Sequence, residues 1–251
     1  GPEAVAEWVS RVMADTDAFF TPPPTDAYAT ASGAEGETVL TFPSALTTPD
    51  VENNTAHFRL FPATKARSRE GRGPAVLVLP QWNADNGGHV GLCRLLNWAG
   101  MSALRLSLPY HHRRMPPELH RADYIVSSNI ARTVQVCRQA VLDARRAIAW
   151  LAAQGHERIG ILGTSLGSCL ALLTTAHEPL IRAEALNHIS PYFADVVWEG
   201  LSTRHIRQGF LDHITLHQLR DVWRIFSPPF HFERYAKMGK KPLFMYGRYD
   251  T

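Results

Sequence analysis

The stretch Arg158-Ile159-Gly160-Ile161-Leu162-Gly163-Thr164-Ser165-Leu166-Gly167-Ser168-Cys169-Leu170 decides how the rest of the chain is read. Its first part, Arg158–Leu162, is short and apolar and reads as a strand. From Leu166 to His177 an apolar run without Pro reads as a helix. Between them stands Gly163-Thr164-Ser165-Leu166-Gly167, a G-x-S-x-G in the strand–turn–helix context that gives the pattern weight. Such a turn is sharp, so the serine hydroxyl projects at the carboxyl end of the sheet. Glycines on both flanks let neighbouring backbone approach without a Cβ clash. The helix N-terminus behind Ser165 supplies partial positive charge where an oxyanion would form, and the N–H of Leu166 is the natural first donor to it. The bland alternative is a serine N-cap on an ordinary crossover. Strand, helix and both glycines together favour the first reading.

Working outward, Ala75-Val76-Leu77-Val78-Leu79 is continuously apolar, which suits a strand covered on both faces. Residues 103–108 read as a further strand. Residues 128–153 read as a long helix, because Ile130, Val134, Cys137, Val141, Ala144, Ile148 and Leu151 step by four and three into one stripe. Residues 38–42 and 55–61 alternate like half-buried antiparallel strands. An amphipathic helix is expected over 3–20, from Val5, Trp8, Val9, Val12, Met13 and Phe19, stopped by Thr21-Pro22-Pro23-Pro24. Residues 64–73 form a charged loop. Downstream, Ala183–Ile189 reads as a strand, 201–238 as mostly helical with a break at Pro228-Pro229, and Leu243–Tyr246 as a last strand. Antiparallel strands followed by repeated β-α units predict an α/β fold, a mostly parallel sheet with helices on both faces. One domain is expected over 1–251, with 3–36 as an N-terminal helical extension.

The chain has 251 residues, 45% apolar and 20% charged, enough apolar side chains to exclude wholesale disorder. Its three cysteines, Cys93, Cys137 and Cys169, cannot all pair and form no C-x-x-C, which is compatible with a reducing compartment and tilts the expectation toward the cytoplasm. Lys+Arg 26 against Asp+Glu 23 gives +3, with no long basic run, so nucleic acid is not an expected partner. No stretch is apolar and long enough for a membrane span. Gly1-Pro2 reads as the remnant of a cleaved tag.

The serine turn, the corner loop after Leu79 (Pro80-Gln81-Trp82-Asn83-Ala84-Asp85-Asn86-Gly87-Gly88-His89), and a last strand running into Tyr246-Gly247-Arg248-Tyr249-Asp250 together resemble the α/β-hydrolase superfamily over roughly residues 38–251. The run Leu106-Ser107-Leu108-Pro109-Tyr110-His111-His112-Arg113-Arg114, followed by the long helix, is similar to a poorly characterised α/β-hydrolase-domain-containing group with an Asn-Pro-Tyr-Tyr-like corner there. The resemblance implies an α/β-hydrolase fold and a serine hydrolase cleaving a small carboxylic ester or thioester through an acyl-enzyme. Ser165 matches the nucleophile and Asp250 the acid that orients a histidine, with Asp195 as the alternative acid. In the corner loop Pro80-Gln81 replaces the family's His-Gly. The second oxyanion donor is therefore the N–H of Trp82, with Gln81 next, against a bland reading in which the glycines only let the chain turn. No metal and no organic cofactor is implied. A serine at the turn argues against the dehalogenases and epoxide hydrolases of this fold, which place aspartate there.

In the superfamily the catalytic histidine follows one more strand, and no histidine here occupies that position. The expectation is that the last strand and the histidine lie beyond Thr251. The alternatives are an internal base, with His89, His111, His112 and His188 at strand ends, or a catalytically silent binding or scaffold protein. A serine without a base is a poor nucleophile. Tyr110-His111-His112-Arg113-Arg114, with His120 and Arg121, lies near the carboxyl ends of the strands, where open α/β sheets bind ligands. His111, His112, Arg113 and Arg114 are therefore candidate contacts for an anionic or carboxylate-bearing substrate. The bland reading is a solvated loop partnered by Asp123 or Glu118. Residues 198–238 form a candidate cap whose Trp198, Phe210, Trp223, Phe226, Phe230 and Phe232 either line a pocket or form core.

Overall fold

The computed structural model describes residues 2–33, 37–63 and 72–246. Its strands are β1 (Ala29–Ser32), β2 (Thr38–Pro43), β3 (Thr55–Phe61), β4 (Ala75–Leu79), β5 (Ser102–Ser107), β6 (Ile159–Thr164), β7 (Ile181–Asn187) and β8 (Pro242–Met245). They form one sheet in the order β1-β2-β3-β5-β4-β6-β7-β8. The pairs β1–β2, β2–β3 and β3–β5 are antiparallel. The pairs β5–β4, β4–β6, β6–β7 and β7–β8 are parallel. The mixed α/β architecture is the expected one, with three antiparallel strands at its start instead of two. All four residues of β1 are exposed. With no buried stripe, β1 leaves no hydrophobic pattern to read. The strand expected over 183–189 begins and ends two residues earlier, because the chain turns out of the sheet at His188, where φ is 54°.

The helices are α1 (Pro2–Ala14), α2 (Thr16–Phe20), α3 (Val90–Trp98), α4 (Ile130–Ala153), α5 (Leu166–His177), α6 (Phe193–Glu199), α7 (Arg204–Gln208), α8 (Leu216–Trp223) and α9 (Phe232–Lys237). The single helix expected over 3–20 is corrected to two. Asp15 leaves helical geometry at φ −141° and its carboxylate accepts the N–H of Ala18, starting α2 afresh. Helix α3 is not predicted by the sequence pattern, because only Val90 and Cys93 of its nine residues are buried, too few for a clear stripe. Helix α4 follows its predicted stripe and is capped by Asn129, whose side chain accepts from Arg132 N–H. Every residue of α5 is buried.

Alternate residues of β4 divide the core. Ala75, Leu77 and Leu79 belong to the main cluster with α4 and α5 residues such as Val141, Ile148, Leu170 and Leu173. Val78, with Val76 beside it, packs with Cys93 of α3 and with Ala103 and Leu162 on the other face. This follows from the period of two along a strand. All three cysteines are buried and unpaired. Burial pushes the Cys93 thiol up to about 11 and the Cys169 thiol up to about 12. Among the described residues no helix is long and apolar enough to cross a membrane.

Candidate active site

Ser165 sits between β6 and α5 at φ 52°, ψ −119°, a conformation L-residues rarely adopt. Two glycines make this turn sterically possible. A Cβ on Gly163 would fall 2.5 Å from the Gly167 carbonyl carbon, and one on Gly167 would fall 2.5 Å from the Pro80 carbonyl oxygen. Behind the turn, the N–H of Ser165 donates to the Asn187 carbonyl at 2.8 Å, and the Ser168 hydroxyl donates to the same oxygen at 2.6 Å. These bonds fasten the start of α5 to the end of β7. Ser165 itself is exposed, and its hydroxyl has no hydrogen-bond partner among the described residues. The Leu166 N–H, the first of α5, is likewise without an acceptor among them, as expected of a helix N-terminus.

Because Gly167 lies against Leu79 and Pro80, the corner loop begins beside Ser165. The N–H groups of Gln81 and Trp82 carry no acceptor among the described residues. The loop is held from outside. Trp82 Nε1 donates to the Ala122 carbonyl at 2.9 Å, and the Asn83 side-chain oxygen accepts the Ala122 N–H at 2.8 Å. The Trp82 ring stacks on His205, with centroids 6.3 Å apart and planes 11° apart, and the Arg121 guanidinium lies 5.2 Å from it. Asp123 joins Arg121 and His205, at 3.4 Å from each. The Trp82 ring is thus braced by its neighbours.

The basic run divides. Arg114 is fully buried, 2.9 Å from the equally buried Asp143, and also donates to the carbonyls of Ser107 and Asn53 at 3.2 and 3.1 Å. Its guanidinium ties the loop after β5 to α4 in the interior, with a partner that is neither Asp123 nor Glu118. His111 is also buried. Its Nε2 accepts the N–H of Asn83 at 3.0 Å, so Nδ1 carries the proton and donates to the Pro109 carbonyl at 2.9 Å. Burial, the larger cause, and the neighbouring charges hold the ring neutral, with the pKa lowered to about 4. His112 is half-buried and Arg113 exposed.

Two further histidines flank Ser165. His89 Nε2 is 3.0 Å from the Thr164 hydroxyl, and burial followed by Arg105 lowers its pKa. His188 follows Asn187 and donates its backbone N–H to the Met245 carbonyl at 2.8 Å. Asp195, in the first turn of α6, is engaged by the Arg220 guanidinium. Asp250 lies outside the described residues. In the candidate cap, Phe210, Trp223 and Phe226 are core residues, and Trp198 packs on them. Phe230 and Phe232 are exposed.

No family model matches the chain, and no curated protein matches it by sequence. The fold has many counterparts among solved structures. Acetyl xylan esterase 1 from Thermoanaerobacterium sp. JW/SL YS485 superposes at TM-score 0.63 with 14% identity, covering 98% of this chain and 87% of that one. An acetyl xylan esterase from Paenibacillus sp. R4 gives 0.62 with 13% identity over 97% and 87%. An acylaminoacyl peptidase from Pyrococcus horikoshii gives 0.53 with 8% identity over 89% of this chain and 37% of that one. At these identities the likeness is one of architecture. The eight-stranded mixed sheet, its flanking helices and the strand–serine–helix turn give this chain the α/β-hydrolase fold.

Proposed function

We propose that the protein is a serine hydrolase that cleaves a carboxylic ester or thioester through an acyl-enzyme on Ser165. The observation that carries this reading is Ser165 itself. It is held at positive φ by two sterically required glycines, with an exposed hydroxyl that has no partner among the described residues, beside the Leu166 N–H, which has no acceptor among them. Backbone strain of this kind persists where the surroundings over-determine it, as at catalytic turns.

In the proposed reaction Ser165 Oγ attacks the acyl carbon as its proton passes to a histidine oriented by Asp250. The carbonyl oxygen gains the charge and is held by the N–H groups of Leu166 and Trp82, with Gln81 next to them. The alcohol or thiol leaves with the proton from the histidine. Water then attacks the acyl-enzyme by the same route in reverse and frees Ser165. The esterases of similar architecture support an ester as the substrate class.

A fluorophosphonate probe tests the reading. Labelling that disappears in Ser165→Ala is the expected result. Failure to label under conditions that label a control esterase would sink it in favour of a catalytically silent binding protein on the same fold.

A further inference from the structure

Strands β3 and β5 set Arg59 opposite Arg105 and His57 opposite Ser107 on one face of the sheet. Like charges directly opposite are destabilising unless something offsets them. Here backbone carbonyls of the corner loop do part of this. Arg105 donates from Nε to Gly88 at 2.6 Å and from Nη2 to Asp85 at 2.8 Å, and Arg59 donates to Asn86 at 2.8 Å. Arg59 also pairs with Glu37 at 3.3 Å. Beside them lies a small cavity of about 80 Å³, lined by Glu37 as well as by His57, Arg59, Asn86, His112 and Arg113. His57 Nδ1 and His112 Nε2, on two of the lining residues, are buried without a hydrogen-bond partner among the described residues. Nη1 of the fully buried Arg105 is in the same condition. Buried polar nitrogens without partners are uncommon and costly. Arg113 stands exposed at the rim, with no ion pair or hydrogen bond to a described residue.

We infer that His57, Arg59, His112 and Arg113 form a pocket for an oxyanion, a carboxylate or phosphate group. Its volume suits one such group. The guanidinium of Arg113 offers a fork to paired oxygens, and each histidine ring offers an N–H in the appropriate tautomer. The guanidinium groups beneath raise the local potential for an anion, with Glu37 and the neighbouring Asp85 offsetting only part of their charge. His112 also borders a larger cavity of about 370 Å³, whose wall includes Asn83 and Ala84 of the corner loop. An ester carrying a carboxylate would therefore place its charged end in the small pocket, a placement that rests on the hydrolase reading. A free anion would need no such reading.

The two sources are separated by two measurements on the full chain. In the first, inorganic phosphate and adipate are titrated calorimetrically into the protein. Saturable binding is expected, weakened about tenfold or more in Arg113→Ala and in His57→Leu, and unchanged in a control at the exposed Arg94 of α3 (Arg94→Ala). In the second, kcat/KM for mono(4-nitrophenyl) adipate is divided by that for 4-nitrophenyl hexanoate. A preference of about tenfold, falling toward unity in Arg113→Ala, assigns the pocket to the substrate. Anion binding with no such preference assigns it to a free anion. Neither effect, or binding indifferent to both Arg113 and His57, overturns the inference. The titration needs no turnover, so a protein that fails to hydrolyse esters still tests the pocket.

Discussion

The backbone N–H of Asn83 donates to Nε2 of the buried His111 ring at 3.0 Å. This bond joins the corner loop after β4 to the loop after β5. Together with the two bonds from Trp82 and Asn83 to Ala122, it fixes the backbone on which the proposed oxyanion donor Trp82 stands. On the proposed mechanism, His111 acts as a positioning residue.

Replacing it should therefore act on turnover more than on binding. His111→Ala is expected to lower kcat by about ten- to a hundredfold, short of the full effect of deleting an oxyanion donor, with a smaller change in KM. His111→Gln, whose side-chain oxygen can accept from Asn83, should recover part of the loss. Steady-state ester hydrolysis reads both. A variant that is less stable but keeps kcat would show that His111 only supports the fold.

The turn at Ser165 predicts opposite signs for neighbouring substitutions. Ser165→Gly relieves the positive φ and should raise stability by about 1 kcal/mol while abolishing fluorophosphonate labelling. Gly167→Ala drives a Cβ into the Pro80 carbonyl and should destabilise by about 2–4 kcal/mol. Gly91→Ala, in α3 with nothing near its Cβ, should stabilise by about 0.5–1 kcal/mol. Urea denaturation of the three variants checks the order.

Acid should unfold this protein early. His57, His111, His112, His177 and His231 each have a pKa lowered from 6.5 to about 4, with burial the leading cause throughout. The native state thus binds fewer protons than the unfolded chain between pH 6.5 and about 4. Stability is complete above 6.5 and falls as pH drops through that window. The urea midpoint should fall clearly from pH 7 to pH 5, with proton uptake on unfolding. A flat profile across that range would falsify the neutral burial of these rings.

The Arg114–Asp143 pair lies wholly in the interior, and Asp143 also accepts from the Ser44 hydroxyl at 2.9 Å and the Ala45 N–H at 3.0 Å. Asp143→Ala strands a buried guanidinium and should cost about 3–5 kcal/mol. Arg114→Leu combined with Asp143→Leu should cost less than the two single changes added, because no charge is left unpaired. Chemical denaturation of the cycle measures the coupling.

What could be read from the chain alone was local. The step of four and three from Ile130 to Leu151 dictates α4, the run Ala75–Leu79 dictates a doubly covered strand, and Gly163-Thr164-Ser165-Leu166-Gly167 dictates its own turn. In each, the information lies within one hydrophobic period or one backbone reversal. Strand β1 stayed hidden because it buries nothing, and α3 because it buries two residues of nine. The basic run was legible as chemistry but not as roles. Residues 111 to 114 are adjacent in sequence, yet His111 turns inward to Asn83, Arg114 to Asp143, and Arg113 outward to solvent. Only the packing of two loops and a distant helix could decide that, because a charge is assigned by the partners that reach it across the fold, and those partners lie 28 and 29 residues away.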